Sequence, residues 1–178
     1  MSAFASTLIY LMALGTVLLD AAIVVKVFAL FHRPSRAQIV RGGRSYGLLA
    51  IFILSALSIA GTLFMQYAGA LPPCVLCWWQ RIFMYPIAII SLIAFIKNAK
   101  LSDIADYVLA LSFLGALVAL YQHLLQVLPQ GSLIPCDATN DCAVRSVFYF
   151  NFVTIPWMAL TVFAAVFLIA FIGRRYRS

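Results

Sequence analysis

The sequence contains no glutamate, and charged residues of both signs make up only 10% of its 178 positions. A soluble domain normally carries about 25% charged residues, so this deficit excludes an ordinary water-facing surface. Hydrophobic residues account for 65% of the chain, which is more apolar surface than a soluble fold of this size could bury. The composition therefore predicts a protein whose main solvent is lipid.

The net charge of +7 does not indicate a nucleic-acid partner, because the basic residues form short clusters between apolar runs. These runs cover approximately 4–31, 47–69, 78–96, 104–128 and 152–172, and each is close to the ~20 residues that a spanning helix needs. The runs are apolar throughout, whereas the strands of an outer-membrane barrel alternate in polarity. The pattern predicts an all-α membrane protein with five spans.

The distribution of basic residues predicts the orientation in the membrane. Most of the twelve lysines and arginines lie between the first and second runs, between the third and fourth, or after the fifth. The positive-inside rule assigns these segments to the cytoplasm, so the N-terminus is expected outside and the C-terminus inside. The other two connections, 70–79 and 129–151, hold all four cysteines and are expected on the extracytoplasmic side, where disulfides persist.

Cys74 and Cys77 form a C-x2-C pair at the expected start of the third span, because Pro72 and Pro73 prevent the second span from continuing as a regular helix. The two sulfurs then share one face of the first turn, where the helix dipole favours thiolate over thiol. Arg81 follows on that face one turn deeper, where a charge is costly. It is therefore a candidate functional residue, or else it snorkels to the outer headgroups or caps a neighbouring carbonyl.

The second pair, Cys136 and Cys142, has a C-x5-C spacing that is wider than usual for a zinc site. An oxidising exterior also disfavours four free thiolates, so zinc is the weakest interpretation. Two inert disulfides are a stronger alternative, although closing so short a loop at the first pair removes little chain entropy.

Two polar residues within the spans are also candidates for a role. The position of His123, taken alone, favours a side chain that is hydrogen-bonded to a neighbouring helix. Asp20, deep in the first span, is expected to bond a helix that the sequence does not identify.

The segment "CVLCWWQRIFMYP" (74–86) resembles the hallmark of the disulfide bond formation protein B (DsbB) family, especially its BdbC-like branch. "PCDATNDCAVR", followed by "TIPWMAL", is similar to the family's second cysteine pair and final span. The resemblance covers about residues 47–173 and implies a four-helix transmembrane bundle core plus one extra N-terminal transmembrane helix. The chain then divides into the extra helix with a basic cytoplasmic loop (1–46), the redox core (47–173) and a basic cytoplasmic tail (174–178).

The resemblance implies an enzyme, a thiol–quinone oxidoreductase. It would reoxidise an extracytoplasmic thioredoxin-fold thiol oxidase of the DsbA/BdbD-like kind and pass the electrons to a membrane quinone, either ubiquinone or menaquinone. By matched position, Cys136 would form the mixed disulfide with that partner. Cys142 would then relay to Cys74, and Cys77 would face the quinone.

Arg81 and His123 match a family arginine and a family histidine that are implied to lie beside the quinone. Two other functions stay open at this point. A vitamin K epoxide reductase-like quinone reductase also couples four cysteines to a quinone, but there the quinone-side CxxC usually follows the loop pair in sequence. A non-enzymatic membrane protein stapled by two disulfides would keep both pairs oxidised and indifferent to quinone.

Overall fold

A computed structural model describes residues 3–31, 33–128 and 142–175, and the regular elements within these ranges are all helices. In chain order they are α1 (Ala3–Phe31), α2 (Arg33–Tyr67), α3 (Val75–Ile96), α4 (Leu101–Val127) and α5 (Ile155–Arg175). Each contains an apolar stretch long enough to cross a bilayer. The prediction of an all-α protein with five membrane spans is therefore confirmed.

Several element boundaries differ from those expected. The backbone of residues 33–45, expected as a basic loop, is the first part of α2, whose membrane-crossing part is Tyr46–Tyr67. Alanine, glutamine and the arginines in this segment have high helix propensity, and the helix continues beyond the apolar stretch despite Gly42 and Gly43. Likewise, α5 includes Arg174 and Arg175, the first two residues of the expected tail.

The start of α5 is also later than the apolar run beginning at 152 suggests. Phe150 and Asn151 have positive φ angles of 54° and 63°, and Tyr149 pairs with Val153 in an isolated bridge. This tight turn delays the helix until Ile155. Pro156 then lies in the first turn, where its missing N–H leaves no helical hydrogen bond unmade.

The helices α2 to α5 form the bundle core, and α1 packs along its outside against α2 and α5. Each core helix contributes fully buried apolar side chains to one cluster, among them Ile51, Ile87, Val108 and Phe163. The outward faces carry exposed leucine, isoleucine and phenylalanine, as expected for helices surrounded by lipid.

Contact between α4 and α5 depends on a glycine. A methyl group built on Gly115 would overlap the aromatic ring of Phe163, which is fully buried. Small residues at such positions let membrane helices approach closely, which is a main source of their packing energy.

Replacing Gly115 with alanine is expected to lower the melting temperature, because the added methyl group would overlap the Phe163 ring and force it out of its present packing. Overpacking of a core costs ~1–3 kcal/mol, and a chain of this length loses about 2–4 °C per kcal/mol. Thermal unfolding in detergent measures the effect. Gly15→Ala is the matched control, because a methyl group there meets nothing within 4 Å. Equal melting temperatures for both variants would contradict the close packing of α4 on α5.

Candidate redox site

Three of the four cysteines meet at one end of the bundle. Cys74 is the N-cap residue of α3 and Cys77 lies in its first turn, as predicted, with their Sγ atoms 3.4 Å apart in hydrogen-bond contact. Cys142 is 1% exposed and packs in the same cluster as Cys74 and Cys77. The fourth predicted redox residue, Cys136, lies outside the described residues, as do residues 176–178 of the expected tail.

The proton of the CxxC pair has a preferred position. The Cys74 thiol donates to the Cys77 sulfur, and this hydrogen bond raises the pKa of Cys74. Burial raises that pKa further, and a hydrogen bond with Cys142 acts in the same direction. Cys74 is therefore the sulfur that retains its proton.

A buried amide from α4 contacts both sulfurs. The Gln122 side chain is 2% exposed, and its Nε2 lies 3.2 Å from Cys74 Sγ and 3.5 Å from Cys77 Sγ. Gln80, also buried, donates to Gln122 Oε1 at 2.6 Å. Because Gln80 engages the carbonyl end, the NH2 end is the one that faces the sulfurs. An N–H donor in that position stabilises negative charge on sulfur.

A second glutamine of α4 holds the segment that carries Cys142. Gln126 Nε2 donates to the backbone carbonyl oxygens of Cys142, at 3.3 Å, and Val144, at 3.2 Å. Gln126 lies one turn beyond Gln122, on the same helix face. These two side chains therefore hold the two cysteine segments side by side.

Sequence reasoning missed both glutamines, although it singled out His123 from the same segment, "YQHLLQ". Polar side chains four residues apart in an otherwise apolar span share one face and need partners inside the protein. That spacing was the available signal.

Arg81 lies inside the bundle and bonds α2. It is 6% exposed, and its guanidinium donates from Nη1 to Gln66 Oε1 at 2.7 Å and from Nη2 to the Thr62 carbonyl oxygen at 3.2 Å. Its Cζ is 5.0 Å from the centroid of the Trp78 ring. The third guanidinium nitrogen, Nε, is buried and has no hydrogen-bond partner within the described part of the chain.

A cavity of about 350 Å³ lies beside the cysteines. Cys74, Cys77 and Arg81 line it, together with Gln122 and Cys142. Most of the remaining wall is apolar, including Met65, Met84, Met158 and Phe163. The volume falls within the ~300–1,000 Å³ typical of small-molecule sites, and an apolar wall with a few polar groups is typical of them too.

His123 lies next to this site but is not among the residues that line the cavity. Its Nδ1 is 2.9 Å from Thr154 Oγ1, and its ring centroid is 4.9 Å from that of Trp157. These contacts are those of a histidine bonded to a neighbouring segment. The placement of His123 beside a quinone stays a prediction.

The partner of Asp20, which the sequence left unidentified, is α5. Its two carboxylate oxygens accept hydrogen bonds from Trp157 Nε1 at 3.0 Å and from the Thr161 hydroxyl at 2.7 Å. A carboxylate within an apolar span is costly unless it is hydrogen-bonded, so this contact attaches α1 to the bundle at a defined height.

Comparison with known proteins identifies relatives of this chain. A family model described as "Disulfide bond formation protein DsbB" matches residues 44–173. The "SPbeta prophage-derived disulfide bond formation protein B" of Bacillus subtilis (strain 168) is 40% identical over 119 residues, which are 67% of this chain and 79% of that protein. "Disulfide bond formation protein C" of the same strain is 33% identical over 117 residues, 65% of this chain and 83% of the relative.

A "Probable disulfide formation protein" of Chlamydia pneumoniae is 34% identical over 138 residues, 76% of this chain and 96% of its own length. No solved structure matches the chain. The family match begins at residue 44, so it leaves α1 outside.

Replacing Gln122 with leucine is expected to slow alkylation of the CxxC pair by iodoacetamide about tenfold, because a hydrogen bond to a charged group contributes ~1.5–3 kcal/mol. The measurement uses reduced protein in which Cys136 and Cys142 are serine, so that the first pair alone reacts. Gln126→Leu is the matched control, since the bonds of Gln126 within the described residues go to backbone carbonyls, and its alkylation rate should equal that of the parent. Equal rates for both glutamine variants would show that the amide of Gln122 does not act on the sulfurs.

Proposed function

Since the chain belongs to the DsbB family of disulfide bond formation proteins, we propose that it is a membrane thiol–quinone oxidoreductase. It reoxidises an extracytoplasmic thioredoxin-fold thiol oxidase and passes the electrons to a membrane quinone, which supports disulfide formation. The observation that carries this proposal is that the Cys77 sulfur and the buried guanidinium of Arg81 line the same apolar cavity.

The cavity residues fit a quinone ring. The wall is mostly apolar, and Arg81 Nε is a buried donor with no partner among the described residues, which suits a carbonyl oxygen. A quinone bound there would supply the two-electron oxidant, so that the Cys74–Cys77 dithiol would give up two electrons and two protons as its disulfide forms. Where water is scarce, the guanidinium of Arg81 stabilises negative charge on an adjacent oxygen most strongly. The role of His123 beside the quinone rests on its matched family position alone.

The thiol steps are proposed from the matched family positions of Cys136 and Cys142, and the contacts of Cys142 support them. The partner's dithiol reduces the Cys136–Cys142 disulfide through a mixed disulfide with Cys136, which leaves two thiols on this loop. The Cys142 thiolate then attacks the Cys74 sulfur of the oxidised CxxC pair, and Cys77 leaves as a thiolate at the start of α3. Attack by Cys136 on the Cys142–Cys74 bond restores the loop disulfide and leaves Cys74 and Cys77 reduced. The packing of Cys142 against Cys74 supports this route.

The site is placed on the extracytoplasmic side, with the N-terminus outside and the C-terminus in the cytoplasm. The described cysteines lie at the end where α3 begins and α4 ends, and Lys97, Lys100 and Arg174 lie at the opposite end. Basic residues favour the cytoplasmic side, and an oxidising compartment suits the cysteines.

Replacing Cys77 with serine is expected to abolish quinone reduction, since Cys74 then lacks the CxxC partner with which it closes the disulfide. Stopped-flow mixing of purified protein with a reduced thioredoxin-fold thiol oxidase and a quinone analogue measures quinol directly. Turnover that survives the substitution would contradict the proposed mechanism. Wild-type protein that forms no quinol, with both pairs still oxidised, would favour a membrane protein stapled by two disulfides.

Replacing Arg81 with alanine is expected to raise the quinone concentration needed for half-maximal turnover about tenfold or more, because a charge-assisted hydrogen bond is lost. Thiol–disulfide exchange with the partner, followed by trapping of mixed disulfides, should keep its rate. Arg174→Ala is the matched control, since Arg174 pairs with Asp106 in an exposed ion pair. Equal loss of both steps in Arg81→Ala would show that Arg81 serves only to hold α2 against α3.

A further inference from the structure

One face of α1 lines the cavity beside the cysteines. Met12, Gly15, Thr16 and Leu19 all contribute to its wall, and their spacing of three and four residues places them on one side of the helix. The family match begins only at residue 44. The cavity of this chain therefore has a wall that the matched four-helix region does not supply.

The cavity has an edge that faces the lipid between α1 and α2. Gly15 and Leu57 line the cavity and are nonetheless exposed, Leu57 by 65%. A methyl group on Gly15 would meet nothing within 4 Å, so space remains beside this residue. On α2, a methyl group on Gly61 would lie 3.5 Å from Met12 Cε, so the two helices approach closely just beside the edge.

Asp20 fixes the position of this wall. Its hydrogen bonds to Trp157 and Thr161 join α1 to α5. Leu19, the residue before it, is itself part of the cavity wall. Loss of the Asp20 bonds would therefore loosen the wall where it borders the cavity.

We propose that α1 completes the quinone site of this chain and forms, with α2, a lipid-facing opening through which the isoprenoid tail of the quinone passes. The inference rests on the proposed function, because it concerns how the same cavity takes its quinone. A ring held beside Arg81 and Cys77 carries a tail that is insoluble in water, so the tail needs an apolar exit. The other exposed residues of the wall, such as Pro72 and Val144, belong to the connections at the cysteine end and not to a lipid-facing helix surface.

The direct test is a substitution at Gly15 that narrows the proposed opening between α1 and α2. In Gly15→Leu, the added side chain begins in the open space beside Gly15, where a Cβ atom would meet nothing within 4 Å. Reduced protein in lipid nanodiscs is mixed with a quinone that carries a long isoprenoid tail, or with the same ring without a tail, and quinol formation is followed over a range of concentrations. Gly15→Leu is expected to raise the half-saturating concentration of the tailed quinone about tenfold and to leave that of the tailless ring unchanged.

The matched control is Ala21→Leu, which adds a similar side chain at an exposed position of α1 that does not line the cavity. It should behave as wild type with both quinones. If the half-saturating concentrations of Gly15→Leu are unchanged, or rise equally for both quinones, the proposed opening is contradicted while the proposed function stays intact. Wild-type protein that reduces neither quinone would overturn the proposed function and this inference together.

The second test is a substitution at Asp20 that loosens the α1 wall of the cavity. Asp20→Ala removes both hydrogen bonds to α5 and is expected to raise the half-saturating concentration of the tailed quinone several-fold, while the CxxC pair is still reduced by dithiothreitol at the wild-type rate. Asp106→Ala, which removes an exposed ion-pair partner at the opposite end, is the matched control and should change neither value. If Asp20→Ala has the same half-saturating concentration of the tailed quinone as the wild type, α1 does not shape the site.

Discussion

Inside a bundle surrounded by lipid, a polar side chain has no water to bond and must find its partner within the protein. Three residues meet this constraint by bridging two helices: Gln122 bonds the sulfurs at the start of α3, Arg81 bonds α2, and Asp20 bonds α5. Each bond fixes two helices at a defined height and rotation. The bonds that satisfy these groups therefore also hold the cysteines, the guanidinium and the cavity in one arrangement.

Among the described residues, this arrangement leaves Nε as the one guanidinium nitrogen of Arg81 without a hydrogen-bond partner. An apolar surrounding makes such a donor costly, and the same surrounding makes it effective toward an oxygen that gains negative charge. On the other side of the cavity, the N–H group of Gln122 and the start of α3 favour negative charge on sulfur. The site thus favours negative charge on both sides of the cavity, as the proposed electron transfer from sulfur to quinone requires.

Local sequence signals were enough to predict the membrane spans, the position of the CxxC pair at the start of α3 and the depth of Arg81. These features depend on apolar run length, on proline and on residue spacing. The bond of Gln122 to the sulfurs, the α5 partners of Asp20 and the cavity wall on α1 depend instead on how the helices rotate about their axes. Helices that are apolar all round do not encode that rotation, because lipid and protein core select the same residue types.

The central claim is that the Cys74–Cys77 pair and its cavity reduce a quinone without help from the second cysteine pair. Its most direct test is an anaerobic single-turnover experiment on reduced protein in which Cys136 and Cys142 are both serine. If the pair reacts as proposed, mixing with a quinone analogue yields quinol in stoichiometric amount, and Cys74 and Cys77 become a disulfide that mass spectrometry detects. Absence of quinol, with both thiols still open to alkylation, would contradict it.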